Sequence, residues 1–247
     1  MNSLVVPCLY FHHVNTWMSS YTNCPPQRFE LFMRSLSARY VTRNPSQILD
    51  ALQIGGALPD NCISLAFDDA YADILDTAVP LLMALGMNAA VYPIADYIGR
   101  GNDWNVKREG PADHMSATDL RMLVQAGFEI GSHGATHTAL NLLSDNAAER
   151  ELGNSKRTLE DALGIAIRVF AYPYGIFTPA ALIPARTHYE AAFSTTKSES
   201  RDWRKDRHAL RRTYLSTQNT AAEICRVIDD YRKDDCKREG VLSHAVN

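Results

Sequence analysis

Leu65-Ala66-Phe67-Asp68-Asp69-Ala70-Tyr71 is an apolar run in strand code that stops abruptly at two adjacent carboxylates. Adjacent acids at the tip of a buried strand repel one another and lose hydration, so the fold must bring positive charge to them. Other apolar runs also empty onto polar residues. Leu4 to Phe11 ends at His12-His13, Phe128 to Gly131 at Ser132-His133, and Arg168 to Tyr172 at Pro173-Tyr174-Gly175. Further strands are expected at Ala89 to Pro93, up to Ser194, and at Leu210 to Leu215.

Helical patterns lie between these runs. Phe29, Phe32, Met33 and Leu36 share one face after Pro25-Pro26, and a short helix follows over Pro45 to Leu52. Asp73 to Leu85 keeps helical spacing despite Pro80, which predicts a kink or a late start. Ser116-Ala117-Thr118-Asp119 reads as a capping box with Asp in place of Glu. A long helix is expected over Ser144 to Leu163 and a last amphipathic one over Thr220 to Tyr231, whereas charge-dense Thr196 to Ala209 reads as an exposed loop. Roughly seven strands alternating with helices imply a parallel sheet, and no strand is followed by a Gly-rich phosphate loop. Polar residues at the ends of several strands converge best at the mouth of a barrel. The expected fold is α/β, a distorted (β/α) barrel with about seven parallel strands, forming a single domain over residues 1–231, with residues 232–247 as a flexible C-terminal tail.

Composition narrows the function. Hydrophobic residues at 46% and charged residues at 21% fit a globular chain of 247 residues, and a net charge of −3 leaves no basic excess for a nucleic-acid partner. The cysteines at 8, 24, 62, 225 and 236 never fall in a C-x-x-C spacing and read as reduced structural thiols. The apolar zone from Ala78 to Ala95 is broken by Pro80, Gly86, Asn88 and Pro93, so no membrane span is expected. With no secretory signal visible ahead of His12, a cytoplasmic protein is expected. Nothing in the sequence addresses the oligomeric state.

His133-Gly134-Ala135-Thr136-His137 places two imidazoles four residues apart, one helical turn, so that both can face one point. With one carboxylate they make a three-ligand site for a divalent ion, zinc first, with Co2+, Ni2+ or Mn2+ as alternatives. Asp68-Asp69 alone would read as a turn or helix cap; its occurrence with the histidines at strand ends decides for chemistry.

These residues resemble the polysaccharide deacetylase family, carbohydrate esterase family four, which includes the chitin, peptidoglycan and nodulation-factor chitooligosaccharide deacetylases. Ala66-Phe67-Asp68-Asp69 is similar to its T-F-D-D block, His133 to His137 to its H-[ST]-x-x-H block, and Ala171-Tyr172-Pro173-Tyr174-Gly175 to its R-x-P-Y block. The resemblance implies that Asp68 is the general base and that Asp69, His133 and His137 bind the metal. It also implies that the Tyr174 amide helps to stabilise the oxyanion, with Tyr172 and Pro173 lining the substrate site. Ala171 stands where many members carry an arginine that holds the base; Arg212, in Leu210-Arg211-Arg212-Thr213-Tyr214-Leu215, is the candidate replacement, the alternative being a solvated surface charge. Glu199-Ser200-Arg201-Asp202-Trp203 is similar to a D-S-x-D-W block. Leu242-Ser243-His244 has the letters of the family's closing L-x-H, but Leu9-Tyr10-Phe11-His12-His13-Val14 resembles the opening of a subgroup whose acid histidine lies on the first strand. His12 is therefore the expected general acid and His13 its outward-facing neighbour.

The function so implied is a metal-dependent hydrolase that removes an N-acetyl group from an amino sugar, oligosaccharide or small N-acetylated metabolite, with no nucleic-acid partner. Two alternatives stay open: an O-acetyl esterase or cyclic amide or imide hydrolase using the same site, and a non-catalytic sugar-binding barrel, suggested by the arginine missing at position 171 and by the non-standard ending. Trp104, a large aromatic in the polar stretch from Asp96 to Asp113, is the expected stacking platform for a sugar ring.

Overall fold

Strand alternation sorts the apolar runs into two layers. In the computed structural model, which describes residues 3–103, 106, 110–196, 199–215 and 219–242, the strands are β1 (Cys8–Phe11), β2 (Val41–Thr42), β3 (Cys62–Asp69), β4 (Ala90–Pro93), β5 (Glu129–Ile130), β6 (Val169–Ala171), β7 (Ala191–Ser194), β8 (Leu210–Arg211) and β9 (Thr213–Tyr214). Among the described residues every strand pairing is parallel, in the orders β5-β4-β3-β1-β9 and β6-β7-β8, with β2 against the start of β3. The two sheets join at both edges. Ser132, just past β5, bridges β6 by donating to the Val169 carbonyl and accepting from the Ala171 N–H. At the other edge β8 and β9 are one stretch of chain broken only at Arg212, whose N–H donates to the Ser194 carbonyl at 2.7 Å. The chain therefore closes into a distorted barrel of seven strand positions, β8 and β9 sharing one, as the alternation of runs predicts.

Leu9, Phe11, Leu65, Phe67, Val91, Ile130 and Phe170 pack with helical residues such as Phe29, Phe32, Met33 and Leu36. Their neighbours along the same strands, Cys8, Ala66, Ala90, Tyr92, Val169, Ala171 and Phe193, form a second cluster inside the barrel. Trp203 completes that inner cluster. It is fully buried, sits edge-on to Phe193, and donates its indole N–H to the Val6 carbonyl. Arg201 and Asp202 beside it are also buried, Asp202 accepting from the Leu4 N–H at 3.0 Å. The exposed loop expected over Thr196 to Ala209 is thus corrected at these residues. Charge density argues for exposure only while the charges lack partners, and here Arg201 donates to the Tyr231 carbonyl at 2.7 Å.

The helices are α1 (Pro26–Ser37), α2 (Pro45–Gln53), α3 (Ala78–Ala84), α4 (Ala117–Gln125), α5 (Asp145–Leu163), α6 (Leu182–His188) and α7 (Ala221–Leu242). Of the two outcomes Pro80 allows, the late start is observed: a short 3-10 turn over Ala72–Leu75 precedes α3, and Pro80 lies in its first turn, where its missing N–H costs nothing. The capping box forms, Ser116 accepting from the Asp119 N–H while Asp119 accepts from the Ser116 N–H. Among the described residues no helix is long and apolar enough to cross a membrane.

Candidate active site

Asp68 lies opposite Tyr92 in the β3–β4 ladder and turns into the barrel, where Arg212 meets it end on, Nη1 to Oδ1 and Nη2 to Oδ2, both at 2.7 Å. Arg212 is 2% exposed, so it is not the solvated surface charge that stood as the alternative to its pairing with Asp68. The break between β8 and β9 aims its side chain inward, and its guanidinium lies 4.8 Å from the Tyr10 ring centroid and 5.5 Å from that of Tyr92. Ala171, fully buried, lies on the same inner wall. Burial by itself raises the carboxyl pKa, but Arg212, with smaller help from His133 and His12, outweighs it and holds Asp68 well below the usual carboxylate range. Asp68 is an ionised carboxylate with its negative charge matched.

One residue on, the backbone leaves the sheet. Asp69 and Ala70 both take left-handed φ values, 64° and 55°, unusual for side chains with a Cβ and concentrated in this molecule at the barrel mouth, where His137 (62°) and Tyr174 (60°) repeat them. The turn carries Asp69 to the two histidines. Its Oδ1 stands 3.5 Å from His133 Nε2 and 3.4 Å from His137 Nε2. Ligand atoms on a tetrahedral ion with bonds of about 2.1 Å lie roughly 3.4 Å apart, so the spacing matches zinc coordination. His133 donates Nδ1–H to the Ala171 carbonyl at 2.7 Å, which leaves the lone pair on Nε2, the atom facing Asp69. Burial lowers the pKa of both rings, so each is neutral and able to ligate. The three ligand atoms fit a divalent ion and are the one such group among the described residues.

The segment from His133 to His137 is not the helical turn that its spacing suggests. It is a loop with left-handed Gly134 (φ 86°), and Glu151 of α5 holds it by accepting from the Thr136 N–H at 2.7 Å. A Cβ on Gly134 would stand 2.8 Å from Glu151 Oε1, so glycine is needed for the clamp to approach. Glu151 carries no signal in a linear motif; only the packing of α5 brings it here.

His12 follows β1 and is half-buried, with its ring 5.8 Å from that of Tyr10; its charge acts on both Asp68 and His137, which places it facing the same mouth. His13 does not face outward. It is buried, bonds Asp73 through Nδ1 at 3.0 Å and stacks on Tyr71 at 3.8 Å, because β1 ends at Phe11 and the chain beyond it is covered. Tyr174 is 54% exposed, its ring 4.6 Å from that of His137. Pro173 is buried and lies against Gly134. Tyr172 is not brought to this cluster: it packs in the outer layer, stacks on Phe177 and donates its hydroxyl to the His208 carbonyl at 2.8 Å. Trp104 and His244 lie outside the described residues.

Comparison with known proteins bears on the family and the fold. The family model described as polysaccharide deacetylase matches residues 55–192. YxkH of Bacillus subtilis (strain 168), a protein assigned to the polysaccharide deacetylases, is 26% identical over 214 residues, which covers 85% of this chain and 71% of YxkH. Among solved structures, the Streptococcus pyogenes deacetylase PplD in complex with acetate superposes with a TM-score of 0.81 at 19% identity, covering 92% of this chain and 99% of PplD. A de-N-acetylase from Aggregatibacter actinomycetemcomitans gives a TM-score of 0.75 at 18% identity over 90% of this chain and 98% of its own.

Proposed function

The chain belongs to the polysaccharide deacetylase family, and from that premise we propose that it is a metal-dependent hydrolase removing the N-acetyl group from an amino sugar within an oligosaccharide or polysaccharide. The observation that carries this is the spacing of Asp69, His133 and His137 at 3.4–3.5 Å beside an ionised, arginine-held Asp68. Asp69, His133 and His137 would hold the ion, with zinc best suited to two imidazoles and a carboxylate. When bound, the ion supplies Lewis-acid polarisation of the acyl carbonyl and of the attacking water.

The chain's own residues do the rest. Asp68 accepts the proton of the attacking water, and Arg212 keeps it charged while its carboxylate is out of bulk solvent. The backbone N–H of Tyr174, in its left-handed turn, stabilises charge developing on the acyl oxygen. Gly175 permits that turn, since a Cβ there would stand 1.9 Å from Thr195 Oγ1. His12, protonated, delivers a proton to the leaving nitrogen, which departs poorly as an unprotonated amine. Tyr174 borders the opening and would meet the sugar, while Pro173, buried beneath it, shapes the loop. Of the two reasons for considering a barrel without catalysis, the arginine absent at position 171 loses weight because Arg212 bonds the same carboxylate.

The test is acetate release from N-acetylglucosamine oligomers and from O-acetylated sugars, with the metal-free and the zinc-reloaded chain. Release from the N-acetyl substrates that disappears on chelation and returns with zinc is expected. Release from O-acetyl substrates alone would move the assignment to an esterase, and activity indifferent to chelation would overturn the metal's role.

A further inference from the structure

We propose that His114 is a positioning residue that holds Asp69 in its ligating conformation; this rests on the assignment of Asp69 as a metal ligand made above. Two successive residues with a Cβ in left-handed conformation persist only where their surroundings impose it. Here the surroundings are the chain just before α4. Ala72 N–H donates to the Asp113 carbonyl and Met115 N–H to the Ala70 carbonyl, both at 2.8 Å, so two backbone bonds, one on each side of His114, tie the end of the turn to this segment. The bond to Asp69 itself comes from a side chain: His114 Nδ1 lies 2.8 Å from the Asp69 carbonyl oxygen. A carbonyl only accepts, so Nδ1 carries the hydrogen and the tautomer of His114 is decided.

The ring cannot turn away from this bond. It is 4% exposed and stacks on Tyr71 at 4.6 Å with an interplanar angle of 26°, and Tyr71 stacks in turn on His13 at 3.8 Å. Asp73 anchors the far end of this three-ring stack by accepting from His13 and from Asn15. The Tyr97 ring stands 5.3 Å from the His114 ring. The other ring nitrogen, Nε2, is buried without a hydrogen-bond partner among the described residues, so the polar contribution of this side chain is spent on the Asp69 carbonyl. That bond sets the peptide plane after Asp69 and with it the direction in which the carboxylate leaves the chain. His133 is oriented through the Ala171 carbonyl; Asp69 is oriented through His114. Groups that orient a ligand in this way are typically worth about 10–100-fold in metal affinity.

The experiment is a Zn2+ titration of the full chain, stripped of metal, against a competing chromogenic chelator, with thermal unfolding of the metal-free chain alongside. His114→Phe keeps a ring for the stack and removes the donor. His114→Asn places an amide N–H where Nδ1 was, and His114→Gln moves that N–H one methylene further out. Expected are a Zn2+ affinity about 10–100-fold weaker for the Phe and Gln variants and within about threefold of wild type for Asn, with metal-free unfolding temperatures close to one another. Wild-type affinity in the Phe variant, or equal weakening in Asn and Gln, overturns the role of His114. If the Phe variant does not fold, the Asn and Gln pair carries the same test. Failure of the wild-type chain itself to bind Zn2+ would overturn the metal assignment, a result distinguishable from either of those.

Discussion

Asp68 and Asp69 are consecutive, equally buried and chemically identical, yet their surroundings are opposite. Around Asp68 the barrel interior is cationic: Arg212 takes both carboxylate oxygens between the faces of Tyr10 and Tyr92. Around Asp69 the partners are two imidazoles kept neutral by burial and a histidine bonded only to its backbone. One carboxylate is matched by an arginine, and the other stands in a cluster with two imidazoles that could hold a metal ion. The pleat points the first inward and the left-handed turn at Asp69 and Ala70 swings the second out, so a single strand end holds two carboxylates in separate surroundings, as the proposed division between base and metal ligand requires.

The largest effect that would break this contrast is on the Asp69 side. His137→Ala should leave the purified chain without stoichiometric metal and without acetate release, measured by elemental analysis and activity together; retained metal would show that the cluster is not the binding site. On the Asp68 side, His12→Ala should keep its metal and lose turnover by about 10²–10⁴-fold. Full activity in His12→Ala with none in His244→Ala would transfer the acid role to the C-terminal histidine.

Arg212→Met sharpens the contrast through stability and pH. The Asp68 carboxyl in the folded chain sits below its ordinary 3.8, so ionisation favours the fold; that contribution is present above about pH 4 and fades only as the pH falls towards the folded value. Without Arg212 the burial that raises the pKa is left with less to oppose it, and the sign reverses. The variant should be about 3–5 kcal/mol less stable than wild type at neutral pH. Part of that deficit should return near about pH 4, where the stranded carboxyl takes up a proton. Chemical denaturation at the two pH values checks it, and a deficit independent of pH would mean that lost packing, not charge, is the cause. The smallest effect lies far from both carboxylates: Ser116→Ala removes one half of the α4 capping box and should cost about 1 kcal/mol in denaturation with turnover unchanged.

Local pattern made much of this legible. Phe29, Phe32, Met33 and Leu36 all bury as their spacing requires, and each motif residue at a strand end projects from a barrel strand or the loop after it. Arg212 was accessible only through resemblance, because no local signal links it to a carboxylate 144 residues away. Glu151 and His114 were not legible: each acts through a backbone group of a motif residue, and one donor or acceptor in a helix or loop has no periodicity to betray it. Trp203 and its buried neighbours were misassigned because composition reports how many charges a segment has, not whether the fold provides their partners. The His133–His137 spacing suggested a helix where Gly134 and His137 make a loop, since one spacing of two ligands is compatible with either backbone.

The division of labour between the two carboxylates is tested most directly by measuring zinc content and N-acetyl hydrolysis in Asp68→Asn and Asp69→Asn side by side. The expected result is one ion per chain and turnover reduced by about 10²–10⁴-fold in the first, and no bound ion in the second. Loss of the ion in Asp68→Asn, or its full retention in Asp69→Asn, would contradict it.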